Sequence, residues 1–149
     1  MEVFRISHEK WANVLEGSGR AARWNSGGIF ITYAGSSRAL SCLEMLVHLS
    51  GEQILSNFKL TIINIPEALE IEKAQSFYNV DWTDFENYFQ SQEIGDEWAK
   101  SLRTCVLRVP SAIIKGEFNY LINPRHFDFN KISISEIEDF HFDLRLKEV

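Results

Sequence analysis

The amino-acid sequence predicts an α+β domain. Short β-branched or aromatic runs recur at residues 3–6, 29–34, 58–65, 104–109 and 120–122. One stretch, 39–49, repeats apolar residues at helical spacing instead. Many short strands with few helices define the α+β class.

The elements follow in order. Residues 3–6 read as a first strand. Gly17-Ser18-Gly19 and Asn25-Ser26-Gly27-Gly28 punctuate loops on either side of Arg20 to Trp24. Residues 29–34 form a buried strand. Ser36 and Ser37 then offer an N-cap to a helix over 39–49, and Gly51 stands where it would end. Leu40, Leu43, Leu46 and Val47 share its apolar face, and Glu44 sits at the margin of that stripe, where a carboxylate is partly desolvated. Residues 58–65 read as a strand closed by Pro66. The stretch 67–94 is acidic and weakly patterned, predicting short surface helices among the aromatics Phe77, Tyr78, Trp82, Phe85, Tyr88 and Phe89. A helix over 95–101 carries Trp98. Strands are expected at 104–109, 112–114 and 120–122, a turn at Asn123-Pro124, and a final alternating strand at 140–146.

The length of 149 residues suits one domain spanning 1–149, and a chain this long buries enough surface to fold without a staple. No apolar run reaches the roughly 18 residues of a membrane span. Met1-Glu2-Val3-Phe4-Arg5 lacks the basic-then-apolar lead of a secretory signal. Cys42 and Cys105 make neither a CxxC pair nor a disulfide framework. The expectation is a cytoplasmic protein without a membrane partner. Net charge is −6, from 21 acidic and 15 basic residues, which argues against direct nucleic-acid binding. Residues 67–99 hold nine acids against one base, Lys73, as a solvated face or as a docking surface for a basic partner.

Standard motifs are missing. His8, His48, His126 and His141 have no metal-ligand spacing, so no metal is expected. Gly17-Ser18-Gly19-Arg20 lacks the ending of a phosphate loop, and Gly35-Ser36-Ser37 is no nucleophile elbow. What remains is a set of polar residues at element edges: Arg5, Arg23, Tyr33, Glu44, Ser111, Asn119 and Asn123. Each alone fits a bland role, such as a solvated charge or a core aromatic with a paired hydroxyl.

Their order and surroundings resemble the RES domain family. The resembling segments are Arg23-Trp24-Asn25, Ile31-Thr32-Tyr33-Ala34 and Leu40 through Glu44 to His48. The second half agrees through Ile94-Gly95-Asp96-Glu97-Trp98, Leu107-Arg108-Val109-Pro110-Ser111, Asn119 to His126 and Phe142-Asp143-Leu144-Arg145-Leu146. Ala21-Ala22 stand where the family has glycine. The resemblance implies a mixed ADP-ribosyltransferase-like fold of short strands with flanking helices around an NAD-binding cleft. It implies a bacterial toxin that acts on NAD+ as substrate, as a glycohydrolase, a phosphorylase or a protein ADP-ribosyltransferase. An inert RES-like module that only binds its partner is the alternative. It further implies an Xre-type helix-turn-helix antitoxin as partner and a homodimer within their complex. On this reading Glu44, Arg23, Tyr33 and Ser111 are catalytic, and Arg5, Arg23, Tyr33 and Asn119 bind the dinucleotide.

These residue types suit the chemistry. Cleaving an N-glycosidic bond builds positive charge on the ribose, which a carboxylate stabilises. A guanidinium offers a two-pronged donor to the pyrophosphate. Tyr33 would stack on nicotinamide, and Ser111 would place the substrate or orient Glu44.

Overall fold

The computed structural model describes residues 1–73 and 80–147. Phe77 and Tyr78 lie outside the described residues. Seven strands make one sheet: β1 Glu2–His8, β2 Thr32–Gly35, β3 Phe58–Asn64, β4 Ile71–Lys73, β5 Val106–Pro110, β6 Phe118–Ile122 and β7 Ser133–Phe140. Their order is β4-β5-β6-β2-β1-β3-β7, antiparallel except for the parallel β4–β5 pair. Two α-helices join them, α1 Arg38–Leu46 and α2 Tyr88–Ser101. The class is α+β.

Register sorts the side chains onto two faces, because strand residues alternate. Phe4 pairs with Gly35, Gly35 with Asn119, Tyr33 with Leu121, and Val109 with Asn119. All of these, with Ile6, share one face. Val3, Arg5, Ser7, Ala34 and Tyr120 take the other. The second face closes over Val3, Ala34, Ile63, Val106, Tyr120 and Ile122, with Leu15 and Phe129 packed on it from the connections.

Both helices lie on the first face. α1 packs Cys42, Met45 and Leu46 against Phe4, Ile6, Phe58, Leu60 and Phe142. α2 brings Trp98 and Ala99 to Trp24, Leu107, Val109 and Leu121. The middle strands β2 and β6 run between these two cores, so polar residues there sit at the seam between the helices.

Several elements differ from their sequence-based expectations. The strand expected at 29–34 begins only at Thr32. α1 is capped by Ser37, whose side chain accepts from Leu40 N at 3.0 Å. It ends at Leu46, and Gly51 plays no capping role at φ −54°. α2 begins at Tyr88, a full two turns before the expected 95, because the residues it buries are small: Ser91 and Gly95 ahead of Trp98 and Ala99. Such a face gives no apolar periodicity. Residues 112–114 form no strand. The strand expected at 140–146 lies earlier, at Ser133–Phe140, along the edge of β3. Phe142 is buried against Phe58, but Leu144 and Leu146 are 56% and 46% exposed on a 3-10 turn, so the alternation there reports no sheet face.

Candidate active site

Glu44 stands on the second turn of α1, half-buried and turned toward the sheet. Two neighbours reach its Oε1. The Ser111 hydroxyl donates at 2.8 Å from the residue after β5, and the Asn119 Nδ2 donates at 2.5 Å from β6. Both partners are buried, at 3% and 9% exposure. Oε2 accepts no hydrogen bond among the described residues.

The serine's own geometry decides what it can do. Its oxygen accepts the backbone N–H groups of Ile113 and Ile114, each at 3.0 Å. A hydroxyl has two lone pairs and one proton. Both lone pairs are occupied, so the proton is committed to Glu44. Ser111 is therefore an orienting donor with no free valence for nucleophilic attack.

Close approach of α1 to the sheet depends on Gly35. A Cβ there would lie 2.5 Å from Ser41 Oγ and 3.1 Å from Ser41 N. The Ser41 hydroxyl sits against the Phe4 carbonyl oxygen at 2.8 Å, tying the helix to β1. Gly35 is also the cross-strand partner of Asn119. The same glycine thus sets the gap across which Asn119 meets Glu44.

Tyr33 occupies the same face, diagonal to Asn119. Its hydroxyl donates to Asn25 Oδ1 at 2.6 Å and accepts the Trp24 N–H at 3.1 Å. Burial pushes its ionisation well above the ordinary tyrosine range. The Asn25 carboxamide is itself saturated, with Nδ2 on the carbonyls of Arg20, Ser26 and Ile29. The phenol is a strut for the 24–25 backbone, and its ring remains as a surface.

α2 holds that loop from outside. Gln92 Nε2 donates to the carbonyls of Ala22 at 2.9 Å and Asn25 at 3.0 Å, and Asp96 accepts the Ser26 N–H at 2.8 Å. The Ser91 hydroxyl lies 2.6 Å from the Arg23 carbonyl oxygen. A Cβ at Gly95 would lie 1.8 Å from the Trp24 carbonyl oxygen, so only glycine admits this contact. Gly95 and Asp96 fall in a segment that carries the family resemblance, but the sequence alone marks neither them nor Ser91 and Gln92 as site residues.

Arg23 projects from the clamped loop. Its Nη2 donates to the carbonyl of Trp82 and, at 2.9 Å, to that of Asp84, and its guanidinium lies 5.4 Å from the ring centre of Tyr88. Its buried Nε has no hydrogen-bond partner among the described residues. Nη1 donates to no carbonyl among the described residues.

The candidates thus divide. Glu44, Ser111 and Asn119 converge through hydrogen bonds. Tyr33 and Arg23 join them through the 22–26 loop. Arg5 does not: strand alternation carries its side chain to the opposite face, where Nη1 donates to the Val14 carbonyl at 2.5 Å and burial lowers its basicity. The structure thus does not bring Arg5 to the other residues expected to bind dinucleotide. Asn123 is also elsewhere, with Nδ2 on the Ala99 carbonyl at 2.9 Å. Among the described residues, no three His, Cys, Asp or Glu side chains gather as metal ligands. No helix among them is long and apolar enough to cross a membrane.

The chain has relatives among known proteins. A Prs ADP-ribosylating toxin of Sphingobium sp. (strain YBL2) is 38% identical over 141 residues, covering 91% of this chain and 88% of the relative. A Toxin Res of Photorhabdus laumondii is 34% identical, covering 98% of this chain and 97% of its own length. A Toxin Res of Yersinia enterocolitica is 33% identical, covering 99% and 100%. A chain in the crystal structure of the M. tuberculosis MbcT–MbcA toxin–antitoxin complex shares the fold at a TM-score of 0.73 and 15% identity, covering 97% of this chain and 85% of that one. The RES domain model itself matches residues 2–143, and the chain belongs to the RES domain family.

Proposed function

We propose that this chain is the toxin of a toxin–antitoxin pair and cleaves the nicotinamide–ribose bond of NAD+. The observation that carries the reading is the Glu44 carboxylate, with one oxygen held by two buried donors and the other open at the seam between the helices. The toxin names of three relatives that cover at least 91% of this chain support it.

In this mechanism Oε2 of Glu44 accepts a hydroxyl of the nicotinamide ribose and faces the positive charge that grows at the anomeric carbon. Fixed charge of this kind acts strongly because no solvent must reorganise. The C–N bond breaks with its electron pair going to nicotinamide, which leaves neutral and needs no proton. The acceptor then bonds to the anomeric carbon and gives up its proton. The Tyr33 ring, fixed at its hydroxyl end, carries the nicotinamide, and the Nη1 prong of Arg23 meets the pyrophosphate. Ser111 and Asn119 act by holding Glu44.

The acceptor is water or phosphate in the first reading, which would deplete NAD+. A second reading, transfer of ADP-ribose to a protein side chain, is favoured by the name of the Sphingobium relative. A helix-turn-helix antitoxin covering the seam would silence either activity. Fold kinship with a chain of a toxin–antitoxin complex is consistent with such a partner.

The test is product analysis on antitoxin-free protein incubated with NAD+, with and without phosphate and with cell extract. Free ADP-ribose identifies hydrolysis, its 1-phosphate phosphorolysis, and label on one extract protein transfer. Intact NAD+ under all three conditions refutes the reading.

A further inference from the structure

We propose that Phe85 and Tyr88 form a stacking platform for the adenine base of the dinucleotide. The proposal rests on the NAD+ reading above and extends the site beyond Arg23.

The sequence places Phe85, Tyr88 and Phe89 at the start of α2, immediately after the carbonyls that hold Arg23. Phe85 and Tyr88 are stacked, with ring centres 5.4 Å apart and planes 26° from parallel. Phe89 meets Tyr88 edge-on at 6.1 Å. Yet Phe85 is 75% exposed and Phe89 72% exposed. Two solvent-facing phenylalanines in one cluster lose hydrophobic free energy in the free protein, which marks a surface awaiting a ligand. One face of Phe85 lies on Tyr88, and the rest of the ring is open.

Three features select a neutral purine as the occupant. The platform is planar and stacked, the geometry that a base takes on aromatic side chains. It is continuous with Arg23, whose guanidinium lies over the same Tyr88 ring and whose Nε is buried without a partner. A phosphate held at Arg23 would therefore leave its attached nucleoside over the rings. The flanking carboxylates of Asp84 and Glu86 are exposed. They disfavour an anion lying on the rings themselves and accept from an exocyclic amine. Nicotinamide at Tyr33 and adenine at Phe85 would then be joined through a pyrophosphate at Arg23.

The experiment compares NAD+ with nicotinamide mononucleotide, which has the scissile bond but no adenine. KM is measured for both substrates in the wild type, Phe85→Ala and Phe85→Trp. Base–aromatic stacking predicts that Phe85→Ala lowers the preference for NAD+ over the mononucleotide by roughly 5- to 150-fold, and that Phe85→Trp keeps it. Phe85 is exposed, so its truncation leaves the fold intact, which a thermal melt checks. If Phe85→Ala turns over NAD+ with an unchanged preference, the platform proposal is overturned and the rings belong to a protein partner. If the wild type processes neither substrate, the NAD+ reading itself fails, and the platform with it.

Discussion

The two faces of the sheet use the same residue types for opposite ends. On one face, Glu44 is held by Ser111 and Asn119 with an oxygen to spare, and Arg23 keeps Nη1 off the carbonyls of the described residues. On the other, Arg5 is half-buried with its guanidinium on the Val14 carbonyl, and Thr61, its cross-strand partner, donates to the Ala12 carbonyl at 2.8 Å. These polar groups fasten the 12–14 connection to the sheet. A charged side chain that keeps free valence at a seam is available for chemistry. Position makes the difference: Arg23 also meets backbone carbonyls, but from the loop beside the helices, whereas Arg5 meets its carbonyl on the face away from both helices.

The sharpest way to break this comparison is to neutralise Glu44. Glu44→Gln keeps the volume and an oxygen to accept from Ser111 and Asn119, but removes the charge and the second acceptor. Nicotinamide release should fall about 10²- to 10³-fold with an unchanged melting temperature, the usual cost of deleting preorganised electrostatic stabilisation. Gly95→Ala should come next, through stability. Its Cβ meets the Trp24 carbonyl oxygen, so the 22–26 loop must shift. Overpacking typically costs about 1–3 kcal/mol, and a backbone contact cannot yield as a side chain would. A denaturant midpoint well below wild type, together with a raised KM for NAD+, is expected.

Arg5→Met gives the opposite signature. It removes a half-buried charge and takes the donor from the half-buried Val14 carbonyl, a hydrogen bond worth about 0.5–1.5 kcal/mol. The melting temperature should drop while KM for NAD+ stays put. A raised KM with an unchanged melt would return Arg5 to the binding site. Tyr33→Phe, which keeps the ring and strips the strut, has the smallest effect on turnover. The Trp24 N–H and Asn25 Oδ1 lose a partner, so a stability loss of about 1–3 kcal/mol is expected by denaturant titration. A turnover loss as large as that of Glu44→Gln would assign the hydroxyl to the chemistry.

The same contrast explains what was legible in the sequence. β1, β3 and β6 were readable because their residues are branched and buried. Ser37 and Leu40 announced α1. The candidates Glu44, Ser111 and Asn119 could be named, but not their hydrogen bonds, which depend on the gap that Gly35 permits. A strand holding Arg5 was expected at 3–6, whereas the face that would receive the helices was not readable, since that follows from register with β2. α2 was half hidden because it packs through Ser91 and Gly95. β7 was hidden because an edge strand rich in Ser, Glu and Asp keeps little buried surface, and Leu144 and Leu146 imitated a strand that packing does not form.

The most direct test of the central claim is a crystal structure of Glu44→Gln soaked with NAD+, slow enough to trap intact substrate. The account predicts a nicotinamide-ribose hydroxyl within about 2.6–3.2 Å of the residue 44 side chain, with Ser111 and Asn119 behind it. Dinucleotide bound elsewhere, or on the face that holds Arg5, would contradict it.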